Sequence, residues 1–153
     1  MGGRSSLWPL GVCLVAASAL PAAAQAESPH HVSLLLGATE LVDEGDVGFT
    51  YGIDYEYALD ERLGLGFVIE RAEGDVGATS LFAVADIHLS RHLVLQVGPG
   101  FEWGEAEDVG AFRVGGYYEW ELDEMTFATT LSYDIADGED DSVVIGFLIG
   151  FKF

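Results

Sequence analysis

Apolar and polar residues alternate with a period of two over most of the chain. Between Phe49 and Leu59 one parity is Phe49, Tyr51, Ile53, Tyr55, Tyr57 and Leu59, and the other is Thr50, Gly52, Asp54, Glu56 and Ala58. Side chains on a strand point to opposite faces in turn, so this pattern predicts a strand with one face in an apolar medium. The pattern returns at Leu63–Ile69, Leu93–Trp103, Phe112–Trp120 and Met125–Ile135, and at Val143–Phe153, where Ile145, Phe147, Ile149, Phe151 and Phe153 oppose Val144, Gly146, Leu148, Gly150 and Lys152. It is less clean at 31–39 and 79–89, where both parities carry apolar residues. The predicted strands are 31–39, 47–59, 63–71, 79–89, 93–103, 111–122, 125–135 and 143–153. No segment shows the period of an amphipathic helix.

The connections fall into two sets that alternate along the chain. Asp60–Arg62, Ser90–His92 and Asp123–Glu124 are short, whereas Glu40–Asp46, Ala72–Ala78, Gly104–Gly110 and Ala136–Ser142 are longer and acidic. Strands joined in this up-and-down order put all tight turns on one rim and all long loops on the other. Eight strands with such turn asymmetry predict a closed antiparallel transmembrane β-barrel. Most strands have the length needed to cross a bilayer at a tilt.

The bulky face belongs outside. Eight strands enclose a narrow interior, which the many Phe, Tyr and Leu side chains of the apolar face would overfill. The opposite face is rich in Gly, small polar residues and charge, and suits a filled polar lumen. Aromatics on the bulky face form two clusters. Phe49, Tyr51, Trp103, Phe112 and Tyr133 lie toward the long loops, and Tyr55, Tyr57, Tyr118, Trp120, Phe127, Phe151 and Phe153 toward the tight turns. Leu65, Val97, Leu131 and Ile145 fall between them. Two aromatic girdles around an aliphatic band match the two interfaces of a bilayer. A soluble barrel holding an apolar ligand is the reading with the faces exchanged.

Charge sharpens this picture. The 153 residues carry 26 acids against 6 Lys and Arg, a net charge of −20, while half the chain is hydrophobic. Such a charge repels a phosphate backbone and argues against nucleic acid as a partner. Residues 1–26 have the form of a secretory signal peptide: Arg4, an apolar run from Leu7 to Leu20, Pro21, and Ala24-Gln25-Ala26 as a cleavage site. Loss of Arg4 with that segment takes the charge to −21 over the barrel domain, residues 27–153. Cys13, the single cysteine, lies in the signal, so neither a disulfide nor a thiolate metal site is expected in the remainder.

An exported chain with this strand pattern, whose last strand ends in Phe147, Ile149, Phe151 and Phe153, resembles the small eight-stranded barrels of the Gram-negative outer membrane, the porin-family group typified by outer membrane proteins A, X and W. The resemblance covers the whole of residues 27–153 as an architecture. It implies location in the outer membrane, contact with lipid and lipopolysaccharide, a monomeric state, and recognition of the terminal stripe by the barrel-assembly machinery. The loops here are short even for that group.

Hairpin geometry places lumen partners. A two-residue turn at Asp123–Glu124 sets Arg113 opposite Asp134, and Glu121 opposite Thr126. Pairing of 93–103 with 111–122 about the middle of the acidic loop sets Glu102 beside Arg113, and the last hairpin sets Lys152 beside Thr126, one strand from Glu121. The expected lumen network is therefore Arg113, Glu102, Asp134, Lys152 and Glu121. Inward acids outnumber the bases, so a narrow cation or small-solute channel stands as the alternative to a plugged structural barrel.

The loop acids Asp43, Glu44, Asp46, Glu73, Asp75, Glu105, Glu107, Asp108, Asp137, Glu139, Asp140 and Asp141 offer the oxygen ligands that Mg²⁺ and Ca²⁺ prefer, but none follows a calcium-loop spacing. Only weak divalent binding is expected there, in bridges to lipopolysaccharide, and no tightly held cofactor. Arg71 near that rim is placed to meet a lipid phosphate. His88 shares a face with Asp86, but Ser90 falls in a turn, so no triad forms and no enzyme is expected; a lipid-modifying barrel is the remote alternative. His30 and His31 read as a flexible pair, poor as a metal site. The expected role is structural: envelope integrity or surface interaction.

Overall fold

The computed structural model describes residues 28–104, 108–138 and 140–153. The predicted signal segment, residues 1–26, lies outside the described residues. Eight strands follow in order: β1 (His30–Leu41), β2 (Val47–Ala58), β3 (Leu63–Ala72), β4 (Ala78–His88), β5 (Leu93–Gly104), β6 (Val109–Leu122), β7 (Met125–Ala136) and β8 (Ser142–Lys152). Each pairs antiparallel with its sequence neighbours, and β1 pairs with β8 to close the barrel. Closure leaves no strand edge with unpaired backbone groups, which is what lets a sheet stand in a medium without water.

The strands lie within two residues of their predicted limits, and the faces are as the alternation requires. Leu34, Leu36, Phe49, Ile53, Leu65, Phe101, Leu131, Ile145 and Phe147 all face outward. The inward residues split into two apolar clusters set among polar ones. One is Leu35, Val94, Tyr117, Ala128 and Leu148. The other is Val68, Phe82 and Val84, with Ala111 against it.

Glycine makes the narrow interior packable. A Cβ at Gly64 would overlap the Glu56 carboxylate, and one at Gly150 would overlap His31, Ser33 and Thr126 side chains. These inward glycines are recesses that opposing polar side chains fill. At the tightest turn Asp123 has φ +56°, a conformation Asp tolerates better than most residues.

Two registers differ from expectation. β5 pairs with β6 so that Gly98, not Glu102, faces Arg113, and Glu102 faces Val109. β7 pairs with β8 so that Gly150, not Lys152, faces Thr126. In both hairpins the register is set across a long loop rather than by a tight turn, and the ladder closes about a centre nearer the first strand than expected. Both shifts are even, so every side chain keeps its face while its partner changes.

Candidate functional site: the lumen and its two rims

The lumen holds several polar levels. On the long-loop side, which also holds the buried Thr39–Thr50 hydroxyl pair, the Arg113 guanidinium is clamped between two carboxylates. Its Nε and Nη2 donate to Asp134 Oδ1 and Oδ2 at 2.7 and 2.6 Å. Its Nη1 and Nη2 donate to Glu70 Oε2 and Oε1 at 3.1 and 2.6 Å. Phe82 lies beneath, its ring centroid 4.2 Å from Cζ. Arg113 is only 2% exposed. The planar fork of arginine suits two bidentate carboxylates, and the ring face adds a cation–π contact.

The expected partner Glu102 is not in this clamp; it accepts a bond from Ser80 Oγ at 3.1 Å. Its place is taken by Glu70, which reaches Arg113 across the barrel from β3. The hairpin geometry of the sequence cannot show such a contact, because it relates only neighbouring strands.

In the middle level one amide joins two acids. Gln96 Nε2 donates to Asp54 Oδ2 and to Asp86 Oδ1, each at 3.0 Å. Toward the tight turns, His88 Nε2 lies 2.7 Å from Glu56 Oε1. His31 points into the same level, its Nε2 2.7 Å from Thr126 Oγ1 and its Nδ1 3.8 and 3.9 Å from Glu56 and Glu119. Lys152 closes this end on Glu121, with Glu119 at 3.6 Å. Thus Lys152 meets Glu121 from beyond Thr126 rather than beside it.

The histidine pair is part of the barrel wall. His30 and His31 are the first residues of β1 and take opposite faces. His30 stacks on Phe153 at 5.5 Å, meets Tyr57 edge-on, and bonds the Tyr55 hydroxyl at 2.9 Å. His92 likewise stacks on Tyr118 at 5.6 Å and donates from Nδ1 to the Glu119 carbonyl. Both imidazoles extend the aromatic girdle at the tight-turn rim, a role the alternation pattern did not reveal because His carries no apolar signal. Phe147 and Phe151 face outward, and the Phe153 amide donates to the His30 carbonyl at 3.0 Å. Ser90, the would-be triad member, accepts from the His92 and Leu93 amides within its turn.

At the opposite rim the loops touch one another. The Val42 amide donates to the Asp141 carbonyl at 2.9 Å, and the Tyr133 hydroxyl to Asp141 Oδ2 at 2.7 Å. Tyr51 donates to Glu73, which lies 3.6 Å from Arg71; Arg71 also donates to Thr79. Glu105, Glu107 and Glu139 lie outside the described residues. Among the described residues no three acids or imidazoles converge as metal ligands do.

Partial desolvation, then the neighbouring charges of Asp43, Asp141 and Asp46, push the Asp140 carboxyl above its ordinary range. A raised carboxyl disfavours the folded loops when ionised. The loop contact should therefore tighten as pH falls through the titration of Asp140 and loosen as pH rises through it. Asp140→Asn should hold the tight state at neutral pH, with greater protection of the Val42 amide in hydrogen exchange after correction for intrinsic rates. Equal protection in the two proteins would contradict this.

No family model matches the sequence, and no curated protein matches it. Solved structures do. The N-terminal β-barrel domain of Pseudomonas aeruginosa OprF is similar at a TM-score of 0.62 and 13% identity, over 84% of this chain and 100% of that one. The outer membrane protein OprG of the same organism is similar at 0.56 and 11%, over 83% and 98%. A de novo designed transmembrane β-barrel is similar at 0.51 and 17%, over 84% and 98%. At such identities the likeness is one of fold: a closed eight-stranded antiparallel barrel of the transmembrane kind.

Proposed function

We propose that this protein is an integral barrel of the bacterial outer membrane with a structural or surface role, and that its lumen does not conduct. The observation that carries the reading is the Arg113 clamp. One buried guanidinium, two carboxylates and the Phe82 ring span the interior between β6, β7, β3 and β4. Leu35, Val94, Tyr117, Ala128 and Leu148 add a buried apolar cluster to the same interior. An eight-stranded barrel is narrow enough for its own side chains to fill it.

The outward face supports residence in lipid: aliphatic side chains at mid-height, aromatics and two imidazoles at the tight-turn rim, aromatics again under the loops. The Gram-negative envelope, lipopolysaccharide as neighbour, and insertion by a machinery that reads the outward stripe of β8 belong to the same reading. So does weak Mg²⁺ or Ca²⁺ bridging at the acidic loops, with Arg71 beside a lipid phosphate. Among the described residues, no set of side chains in the lumen or loops has a geometry that supports a catalytic role.

Reconstitution into planar bilayers tests the plug. The expected record shows insertion, verified by recovery of heat-modifiable protein, without resolvable current steps. Reproducible cation-selective steps would replace this reading with the channel.

A further inference from the structure

The outer wall carries a groove of about 540 Å³, within the range of sites that hold a small ligand. It forms where two small residues, Gly116 and Ala38, interrupt a wall of large side chains that includes Tyr118, Leu131 and Phe147. The groove is oblique. At one end is Leu93, the first residue of β5 at the tight-turn rim. At the other is Ala38, the ninth residue of β1 and three from its long-loop end. The stagger of a closed barrel makes a line across its strands climb in this way. Four interstrand steps of about 4.8 Å put the two ends about 19 Å apart, more than half the thickness of a hydrocarbon core, about 15 Å.

The lower end is also where the charge changes sign. Seven connections join the strands, and every one but the β4–β5 turn contains Asp or Glu. That turn is Leu89-Ser90-Arg91-His92. Arg91 is exposed, two residues before Leu93, and has no ion-pair partner among the described residues. His92 stacks on Tyr118, which lines the groove.

We propose that Arg91 and the groove form a site for one anionic phospholipid of the leaflet at the tight-turn rim. The headgroup phosphate lies on Arg91, and one acyl chain runs up the groove. This rests on the membrane reading above, in which lipopolysaccharide stands at the opposite rim beside the loops. A charged head at the interface and an apolar tail rising from it match a cationic end and an oblique apolar channel. A second copy of the chain fits less well. The loops above the groove, after β1 and β7, carry Asp43, Glu44, Asp46, Asp140 and Asp141, and two copies joined here would set these acids side by side.

Quenching of tryptophan by brominated lipid tests the site. Trp120 faces outward, its ring centroid 5.0 Å from that of Tyr118. Trp8→Phe with Trp103→Phe leaves it the only tryptophan. This parent barrel is reconstituted in phosphatidylcholine vesicles that contain brominated phosphatidylglycerol or brominated phosphatidylcholine. The expected result is about a five-fold preference for phosphatidylglycerol at Trp120, the weight of one arginine at an anionic surface. Arg91→Gln should abolish it. So should Thr129→Phe, which fills the groove and leaves Arg91 in place. Folding of each variant is read from gel mobility before boiling; if Thr129→Phe does not fold, Ala38→Leu at the other end replaces it. A preference that survives in the folded groove variant would reduce the contact to headgroup attraction and overturn the site. Equal quenching by the two lipids in the parent barrel would overturn the site and leave the membrane reading standing. Quenching by neither would overturn both.

Discussion

Arg113→Met should cost the barrel about 3–5 kcal/mol of stability, the usual penalty for removing one partner from a buried ionic cluster. The reason lies in what stays behind. Glu70 and Asp134 are 5% and 1% exposed, and each spends both oxygens on the guanidinium. Without it two carboxylates face each other in a closed interior. Met fills part of the volume and keeps contact with Phe82, so the loss reports charge rather than packing. Urea titration of the barrel refolded in micelles, followed by tryptophan fluorescence, measures it. Arg113→Lys should fall between, since one ammonium cannot fork to both partners. Joint replacement of Arg113, Glu70 and Asp134 by Met, Leu and Leu should recover most of the stability, as apolar sets of similar volume often do. A cost below about 1 kcal/mol for Arg113→Met would show that the clamp is hydrated and not a plug.

The sequence made the strands and faces legible because alternation is a local signal. Phe49 to Leu59 needs no knowledge of any other segment to declare its two sides. The Arg113–Asp134 contact was legible for a related reason, as a two-residue turn fixes the register of the hairpin it closes. Glu102 was misplaced because its hairpin closes over a loop whose residues do not say where pairing stops. Glu70, Gln96, Glu56 and His31 were out of reach altogether. Their partners lie across the lumen, and which inward side chains meet there depends on stagger around the whole barrel. The parity of each position was local information, whereas its level along the axis was global.

The outward face yields the second large effect, because depth in a bilayer and exposure to water make opposite forecasts. Leu131 is 57% exposed on the outer wall, between Gly116 of β6 and Ile145 of β8 in the middle of the barrel. Leu122 is 62% exposed at the last position of β6, on the tight-turn rim. By exposure the two are alike. In water, arginine at either site should change stability by no more than about 0.5 kcal/mol. In a bilayer, Leu131→Arg should cost roughly 2–4 kcal/mol and Leu122→Arg about 0–1, since a guanidinium at mid-depth loses its hydration while one at the rim reaches the headgroups. Equilibrium unfolding of both variants from lipid vesicles gives the contrast directly. It is insensitive to lumen chemistry, because neither side chain points inward. A cost at Leu131 that matches the cost at Leu122 would mean that water covers the wall of this barrel. The aliphatic belt would then be a docking face for another protein, and the lumen would be the wrong place to look for function.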